Sequence, residues 1–542
     1  MSELTASLAW NALQNHSERF ANFSLKDAFS DDTERASRLS LSAGGLFYDY
    51  SKELIDDDAL SALLDLAGQQ NVAKAIQAMQ SGEELNTTEG RQVLHHLLRQ
   101  TDKSTIPTQL HPQFDAVINT RAKMKDAVAR VHNADVTGVT GKAFTDIVHI
   151  GIGGSYLGPE MIYQGMQVHH LPSIRCHFIS NICAHELARV LDGLNPETCL
   201  FVVASKTFTT LETLTNANTA KHWLEQQLGK NAVGQHFYAV TSSPEKAESY
   251  GISPAHIFAF WDWVGGRFSS FSAIGLSLAL GLGWETFESL LDGAATMDTH
   301  FFDAPLNVNM PVLMALIGVW YVNFFDRESL CIAAYDSRLR SFAPFLQQLE
   351  MESNGKSTDL NNNAVDYHTC PTIFGEPGTN CQHSYFQLLH QSPEFVPVNF
   401  IACAQQEHTH KEHQDWLFAN CLAQANALML GQQTADQHKH MPGNRPSSTL
   451  LLDRLSPENM GALVALYEHK VYVQSVIWNV NAFDQWGVEL GKQISKGIKP
   501  KLDTGDTHDL DPSTAALLTR YQKINEADDI PRQNTPDIKK RA

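Results

Sequence analysis

The sequence predicts an α/β fold of two lobes, each a mainly parallel β-sheet with helices on both faces, preceded by a helical region and followed by an arm. Three observations carry that expectation. Beyond about position 146, short apolar runs close on Gly, Ser or Thr and lead into helix-like segments: IVHI (147–150) into GIGGS, HFIS (177–180), CLFVVA (199–204) into SKTFTT, and HFYAV (236–240) into TSSPEKA. This is the rhythm of β-α units, whose crossover helices cover a parallel sheet. A looser second block repeats it with SLCIAAY (329–335) before an Asp-Ser turn, TIFGEPGT (372–379), and VPVNFIACA (396–404) before a polar helix. No tandem repeat of about 20 to 50 residues is present, which argues against solenoids and propellers.

Taken in chain order, the first 130 residues alternate charged and apolar positions at helical spacing, with Leu94, Leu97 and Leu98 on one face and Arg91, Gln92 and Arg99 elsewhere. A mostly helical N-terminal region is expected there. The β-α block follows, then the looser block, and from about Asp503 the chain turns polar and Pro-punctuated, ending in KKRA. At roughly 150 residues per domain, a chain of 542 residues holds two to four domains.

Composition narrows the function. Apolar residues make up 43%, enough to bury a sizeable core, and the charged fraction of 18% lies below the roughly 25% of ordinary domains. Disorder is therefore excluded for most of the chain. A net charge of −20 repels phosphate backbones and anionic lipid, so neither nucleic acid nor a membrane surface is expected as a partner, and an anionic substrate needs a locally positive pocket. The eight cysteines (176, 183, 199, 331, 370, 381, 403 and 421) contain no C-x-x-C pair, so they read as reduced thiols rather than a zinc or redox site. Residues 1–20 lack a basic start and an apolar core, unlike a signal peptide, and a cytoplasmic location is expected. Two uncharged stretches, 268–284 and 304–325, are interrupted or too short to span a bilayer and read as buried helices.

Several constellations carry chemistry. Gly151-Ile-Gly153-Gly154-Ser155-Tyr156-Leu157-Gly158 follows an apolar strand and opens a helix, a place where backbone N–H groups and the helix dipole favour an anion. Tyr156 stands where a dinucleotide fingerprint needs Gly, which disfavours a Rossmann site and leaves a bare strand–helix turn as the alternative. Ser205-Lys206-Thr207-Phe208-Thr209-Thr210 repeats the placement with four hydroxyls and an ammonium, donors suited to a phosphate monoester. Alone it would be an N-cap; two such turns from neighbouring β-α units converge at the carboxyl ends of a sheet, where open α/β folds bind ligands.

The segment 350–357 ends in GKS like a P-loop, but Glu350 stands where that loop needs Gly, so an NTPase is not expected. Glu352 instead sits near a helix end marked by Asn354-Gly355, where the dipole disfavours a carboxylate structurally and suits a general base, with Gln348 one turn earlier on the same face. Arg267, after Val264-Gly265-Gly266, emerges beside an uncharged run; it is either an ion-paired edge residue or a cation for charge developing on oxygen. His383 follows a turn-rich loop. Gln485 and Lys492 lie seven apart on an expected common helix face, and Gly487 and Gly491 between them point to a close approach of backbone or ligand. His408, His410, His413, His438 and His440 match no metal-site spacing and read as an exposed helix start.

Together these residues make the chain resemble the glucose-6-phosphate isomerase family. The resemblance runs through TEGRQVLHHLLR (88–99), GIGGSYLGP, ASKTFTTLET, VGGRFSSFSAIGLSLAL, MESNGK, GEPGTNCQHSYFQLLHQ, GNRPSS and DQWGVELGK, in that order. It implies two sugar-isomerase (SIS-type) αβα domains, placed here at 121–285 with the phosphate-binding loops and 286–505 with the catalytic Glu and His. It also implies a helical region over 1–120 packing on the second lobe, and a C-terminal arm over 506–542.

The implied activity is reversible isomerisation of glucose 6-phosphate and fructose 6-phosphate through ring opening and a cis-enediol. By motif, Ser155, Ser205, Lys206, Thr207 and Thr210 are similar to the phosphate site, Glu352 to the proton-shuttling base, and His383 with Lys492 to the ring opener. Arg267 would stabilise the enediolate, and Gly154, Gly266, Gln348 and Gln485 would line the substrate. The resemblance implies no metal or organic cofactor, and a homodimer in which the His of one subunit reaches the other's site.

The chemistry independently asks for one base reaching two carbons, a cation for the oxyanion, and an acid/base for the hemiacetal. Departures from the family pattern are SNICAHE (180–186), VGGRFSSF, and Cys381 in place of a Gly common there, which would make the site thiol-sensitive. An isomerase that also accepts mannose 6-phosphate and a non-catalytic SIS-type regulator are the alternatives. The regulator needs the phosphate loops but not base, cation and ring opener together.

Overall fold

The computed structural model describes residues 2–527 and comprises two compact units that meet in sequence between Asp484 and Gln485. In the first unit, helices Leu8–Arg19 and Leu25–Asp31 lead into a hairpin of β1 (Ser40–Ala43) and β2 (Leu46–Lys52). The helical periodicity of the first 130 residues does not anticipate this hairpin. Its local cause is Gly44-Gly45, both at positive φ (57° and 76°), which closes Ala43 onto Leu46 as a two-residue turn.

The first β-α block forms a five-stranded parallel sheet from β3 (Asp146–Ile150), β4 (Arg175–Ile179), β5 (Cys199–Ala204), β6 (Phe237–Thr241) and β7 (Ile257–Ala259), in the order β4-β3-β5-β6-β7. β3, β5 and β6 are buried at every residue. Strands covered on both faces need continuous Val, Ile and Phe rather than alternation, which is why they stand out in the sequence.

The second sheet contains β8 (Ser329–Tyr335), β9 (Thr372–Gly375), β10 (Val398–Cys403) and β11 (Ser447–Leu452) in parallel. Its order is β1-β2-β11-β10-β8-β9, with β2 antiparallel to β11. The expected α/β class with mainly parallel sheets is observed.

Helix Pro457–Ile477 runs through the core, buried on nearly all sides, against Trp284–Asp303 and Met310–Phe324. Two glycines permit that packing: a Cβ on Gly461 would stand 1.9 Å from the Leu290 carbonyl oxygen, and one on Gly293 1.8 Å from that of Glu458. The uncharged stretches become the buried helices Leu276–Leu282 and Met310–Phe324, and among the described residues no helix is long and apolar enough to cross a membrane.

Arg99 departs from expectation. Residues His95–Arg99 form a 3-10 turn rather than an amphipathic helix, and Arg99 is buried instead of facing away from the core. Its guanidinium grips Asp298 with two bonds of 2.7 and 2.6 Å and Glu468 at 2.6 Å. Burial works against ionising Asp298, but Arg99 and His469 hold its carboxyl well below the usual range, whereas burial pushes Glu468 up to about 7.

The second unit contains a 3-10 turn Trp486–Val488, helix Glu489–Thr504 ending on Gly505, and helix Pro512–Ala527. The KKRA end of the expected arm lies outside the described residues.

Candidate active site

Two turns meet at the carboxyl ends of β3 and β5, which are neighbours in the sheet. After β3 the chain makes a 3-10 turn, Gly153–Ser155, and enters helix Leu157–Gly165. Gly153 adopts φ +58°, and a Cβ on Gly154 would lie 2.1 Å from the carbonyl of Gly266 and 2.5 Å from the Arg267 nitrogen. The glycines at 154 and 266 thus bring two backbones into direct contact and set Arg267 beside the end of the sheet. Ser269 Oγ donates to the Gly266 carbonyl at 2.6 Å. Behind the turn, burial pulls His149 down to about 4, so its neutral ring donates from Nε2 to the Ser155 carbonyl (2.6 Å) and accepts from Ser277 at Nδ1 (3.0 Å).

After β5, residues 205–210 lead into helix Leu211–Leu228. Thr210 is its N-cap, but its hydroxyl pairs with Ser205 Oγ (3.2 Å) and makes no capping bond, so the helix's first N–H groups receive no bond from that side chain. Thr207 and Thr209 share a hydrogen bond of 2.7 Å. The Lys206 ammonium is committed to the carbonyls of Asp262 (3.1 Å) and Val264 (3.2 Å), and burial lowers its pKa. The side chain of Lys206 thereby braces the segment leading to Gly265, Gly266 and Arg267. The anion-attracting elements that remain are the hydroxyls of Ser155, Ser205, Thr207 and Thr210 and the helix terminus.

Opposite stands a π-helical turn, Gln347–Glu352, a wide turn of the kind that recurs at functional sites. Glu352 Oε2 accepts from Arg267 Nη1 and from Gln348 Nε2, each at 3.1 Å. Gln348 is thus one turn earlier on the same face, as the spacing predicts. Glu352 Oε1 has no hydrogen-bond partner among the described residues, and the side chain stays 21% exposed. Arg267, whose side chain is 2% exposed, also donates from Nε to Ser353 Oγ at 2.6 Å, and from Nη2 to the carbonyls of Ala482 and, at 3.0 Å, Asp484. Burial lowers its pKa and the Glu352 carboxylate opposes that shift. The arrangement is a buried cation presenting one edge to an accessible carboxylate, beside two oxyanion-ready turns.

His383 ends the 3-10 turn Asn380–His383 and is exposed. Gln485 and Lys492 belong to the second unit. Gln485 precedes the helix, with φ −152°, so the common helix face expected for the pair does not form, and exposed Lys492 bonds Glu489 at 2.7 Å. A Cβ on Gly487 or Gly491 would meet nothing within 4 Å, so among the described residues neither glycine is approached closely by backbone.

Cys381 is fully buried against Tyr335 and Phe386, and burial pushes its thiol up to about 11; the expected thiol sensitivity has no basis at this residue. His408, His410 and His413 are exposed around the start of helix Lys411–Leu430, as expected, whereas His438 and His440 lie at the 3-10 turn Gln437–Lys439 beyond that helix, and His440 is half-buried. Among the described residues, Asp326, Glu328 and His368 are the one trio close enough to share a cation, and all three are exposed.

Sequence reasoning passed over Ser353 and Lys356, although both lie inside MESNGK. Lys356 reads there as part of a false P-loop; it donates instead to the carbonyls of Glu352 (3.2 Å), Asn481 (2.9 Å) and Asp484 (3.0 Å).

The phosphoglucose isomerase family model matches residues 49–518. A glucose-6-phosphate isomerase of Chlorobium luteolum is 45% identical, covering 97% of this chain and 100% of the relative. One from Chromohalobacter salexigens is 44% identical, covering 99% and 98%. The crystal structure of a glucose-6-phosphate isomerase from Chlamydia trachomatis superposes with a TM-score of 0.85 at 32% identity, covering 96% of this chain and 100% of that one. With sheet order, glycine contacts and the Glu352–Arg267 pair in place, full-length similarity of this degree leads to one conclusion: the chain belongs to the phosphoglucose isomerase family.

Proposed function

We propose that the cleft between the two turns and Glu352 is where this chain isomerises glucose 6-phosphate and fructose 6-phosphate reversibly. The observation that carries the assignment of roles is the contact of Arg267 with one oxygen of Glu352, the other oxygen having no hydrogen-bond partner among the described residues. In this reading Ser155, Ser205, Thr207 and Thr210 anchor the phosphate, with Gly154 and Gly266 keeping the backbones close enough for the sugar to reach Glu352. Lys206 contributes through the brace described above.

Glu352 Oε1 takes the C2 proton of the open-chain aldose and returns it to C1, while the hydroxyl proton passes from O2 to O1. Arg267 meets the charge that develops on those oxygens, and Gln348 keeps Oε2 oriented. Residues Gln485 and Lys492 complete the substrate contacts, and His383, assisted by Lys492, opens the ring. Exposed on this chain, His383 serves the site of a second copy in a homodimer. A cytoplasmic location fits eight free cysteines and this reaction.

The test is conversion of fructose 6-phosphate to glucose 6-phosphate by purified protein with EDTA present, followed by a coupled dehydrogenase. Turnover supports a metal-independent isomerase; binding without turnover moves the weight to a sugar-phosphate-binding regulator.

Gly154→Ala tests the backbone contact. A methyl group driven into the Gly266 carbonyl must displace Arg267. Turnover is expected to fall about 100-fold, since a shift near 1 Å costs that much, and stability by about 1–3 kcal/mol. Assay and thermal melt read the two effects, and wild-type turnover in the variant would mean that the contact is dispensable.

A further inference from the structure

TEGR (88–91) and the aspartate that opens DQWGVELGK are hallmarks of the sequence that the phosphate loops, base and cation leave unused. In the fold they meet at Asp484, a side chain 7% exposed. Its Oδ1 receives the Lys356 ammonium at 3.0 Å. Its Oδ2 receives Thr88 Oγ1 at 2.6 Å and Asn481 Nδ2 at 3.1 Å. Asn481 Nδ2 also reaches Thr88 Oγ1 (2.8 Å) and Asn86 Oδ1 (3.0 Å), so the 481–484 turn is stapled to the TEGR segment.

The backbone of that turn meets the catalytic pair. Arg267 Nη2 donates to the carbonyls of residues 482 and 484. The same Lys356 ammonium that binds the Asp484 carboxylate donates to the carbonyl of Asp484 at 3.0 Å and to that of Glu352 at 3.2 Å. One carboxylate therefore touches both halves of the site indirectly: Arg267 through its own carbonyl, and Glu352 through Lys356.

We propose that Asp484 is a positioning residue for the isomerisation, holding Arg267 and Glu352 in register through the 481–484 carbonyls and Lys356. The inference rests on the roles assigned above to Glu352 and Arg267. The physical case is one of donors and acceptors. A buried carboxylate can accept from an ammonium, a hydroxyl and an amide at once, whereas an amide in its place turns N–H groups toward donors and leaves Lys356 without its counter-charge. Burial already lowers the pKa of Lys356, so its ammonium depends on that carboxylate. Freed, Lys356 and the turn relax, and the guanidinium loses its two carbonyl anchors.

Asp484→Asn, Thr88→Val and Thr88→Ser are compared with wild type for kcat, KM and thermal stability. For Asp484→Asn, kcat is expected to fall about 10- to 100-fold, the scale on which misplaced groups lose rate, with KM within about threefold of wild type. Thr88→Val should fall in the same direction by less, and Thr88→Ser, which keeps the hydroxyl, should restore turnover. Asp484→Asn and Arg267→Lys combined should be less damaging than the product of the single effects, because the two act through one contact.

A kcat within twofold of wild type in Asp484→Asn, a loss confined to stability, or a rise in KM at unchanged kcat overturns the proposal. If Asp484→Asn does not fold, wild-type kcat in Thr88→Val overturns it equally. Wild-type protein without any turnover would instead strike at the proposed function, so the two failures are distinguishable.

Discussion

Replacing Glu352 with Gln is expected to lower isomerase turnover by about 10²–10⁴-fold, the contribution of a positioned general base, while sugar-phosphate binding persists. The amide has the shape of the carboxylate and keeps an oxygen for Arg267 Nη1 and Gln348 Nε2, both 3.1 Å from Oε2 in the native site. It cannot accept the C2 proton. Because the turns proposed to anchor the phosphate follow β3 and β5 and do not include Glu352, calorimetric binding of fructose 6-phosphate should change little. Turnover near the wild-type level would remove Glu352 from the role of base, and loss of binding together with turnover would recast it as a substrate anchor.

The second large effect is expected at Arg267. Substituting Ala removes the cation and strands Ser353 Oγ, two backbone carbonyls and a carboxylate that it now satisfies. Breaking one partner of a buried ionic group costs about 3–5 kcal/mol, so a lowered melting temperature should accompany a fall in kcat of about 10²–10³-fold, the price of losing one oxyanion donor. Arg267→Lys separates the two effects. It keeps a charge but not the planar fork that serves four acceptors, so folding should largely recover and kcat only in part. Unchanged kcat with a raised KM in either variant would assign Arg267 to ground-state binding instead.

These expectations draw unequally on sequence and structure. Four of the five strands of the first sheet, β3 to β6, lie in or beside runs legible as apolar segments ending in Gly, Ser or Thr, and β3, β5 and β6 are apolar because they are covered on both faces, whereas the three-residue β7 has no such run. The two anion turns are legible for a related reason: glycines and hydroxyls cluster where backbone must approach a ligand or another backbone. The hairpin β1–β2 is hidden because its strands are short, the alternation in β2 breaks at the buried pair Tyr50-Ser51, and the stretch around them is dominated by helices, so only Gly44-Gly45 marks it. Arg99 misleads for another reason. A charge counts as exposed in any periodicity argument, and nothing local announces that Asp298 and Glu468, some 200 and 370 residues away, will enclose it.

The same division runs through the site. By itself the sequence determined the fold class, the two turns, and Glu352 with Gln348 one helical turn apart, since each of these is written in contiguous residues whose spacing maps directly onto a strand end or a helix face, and its ordered motifs carried the resemblance to the family. Only the tertiary structure decided which oxygen of Glu352 is engaged, that Lys206 is spent on the carbonyls of Asp262 and Val264, that Cys381 is sealed in the core, and that Thr88, Lys356 and Asp484 converge behind Arg267. Most of those facts depend on contacts between segments separated by 56 to 396 residues. Hydrogen bonds of that kind are selected by the packing of whole elements, and a linear pattern records the elements but not their partners.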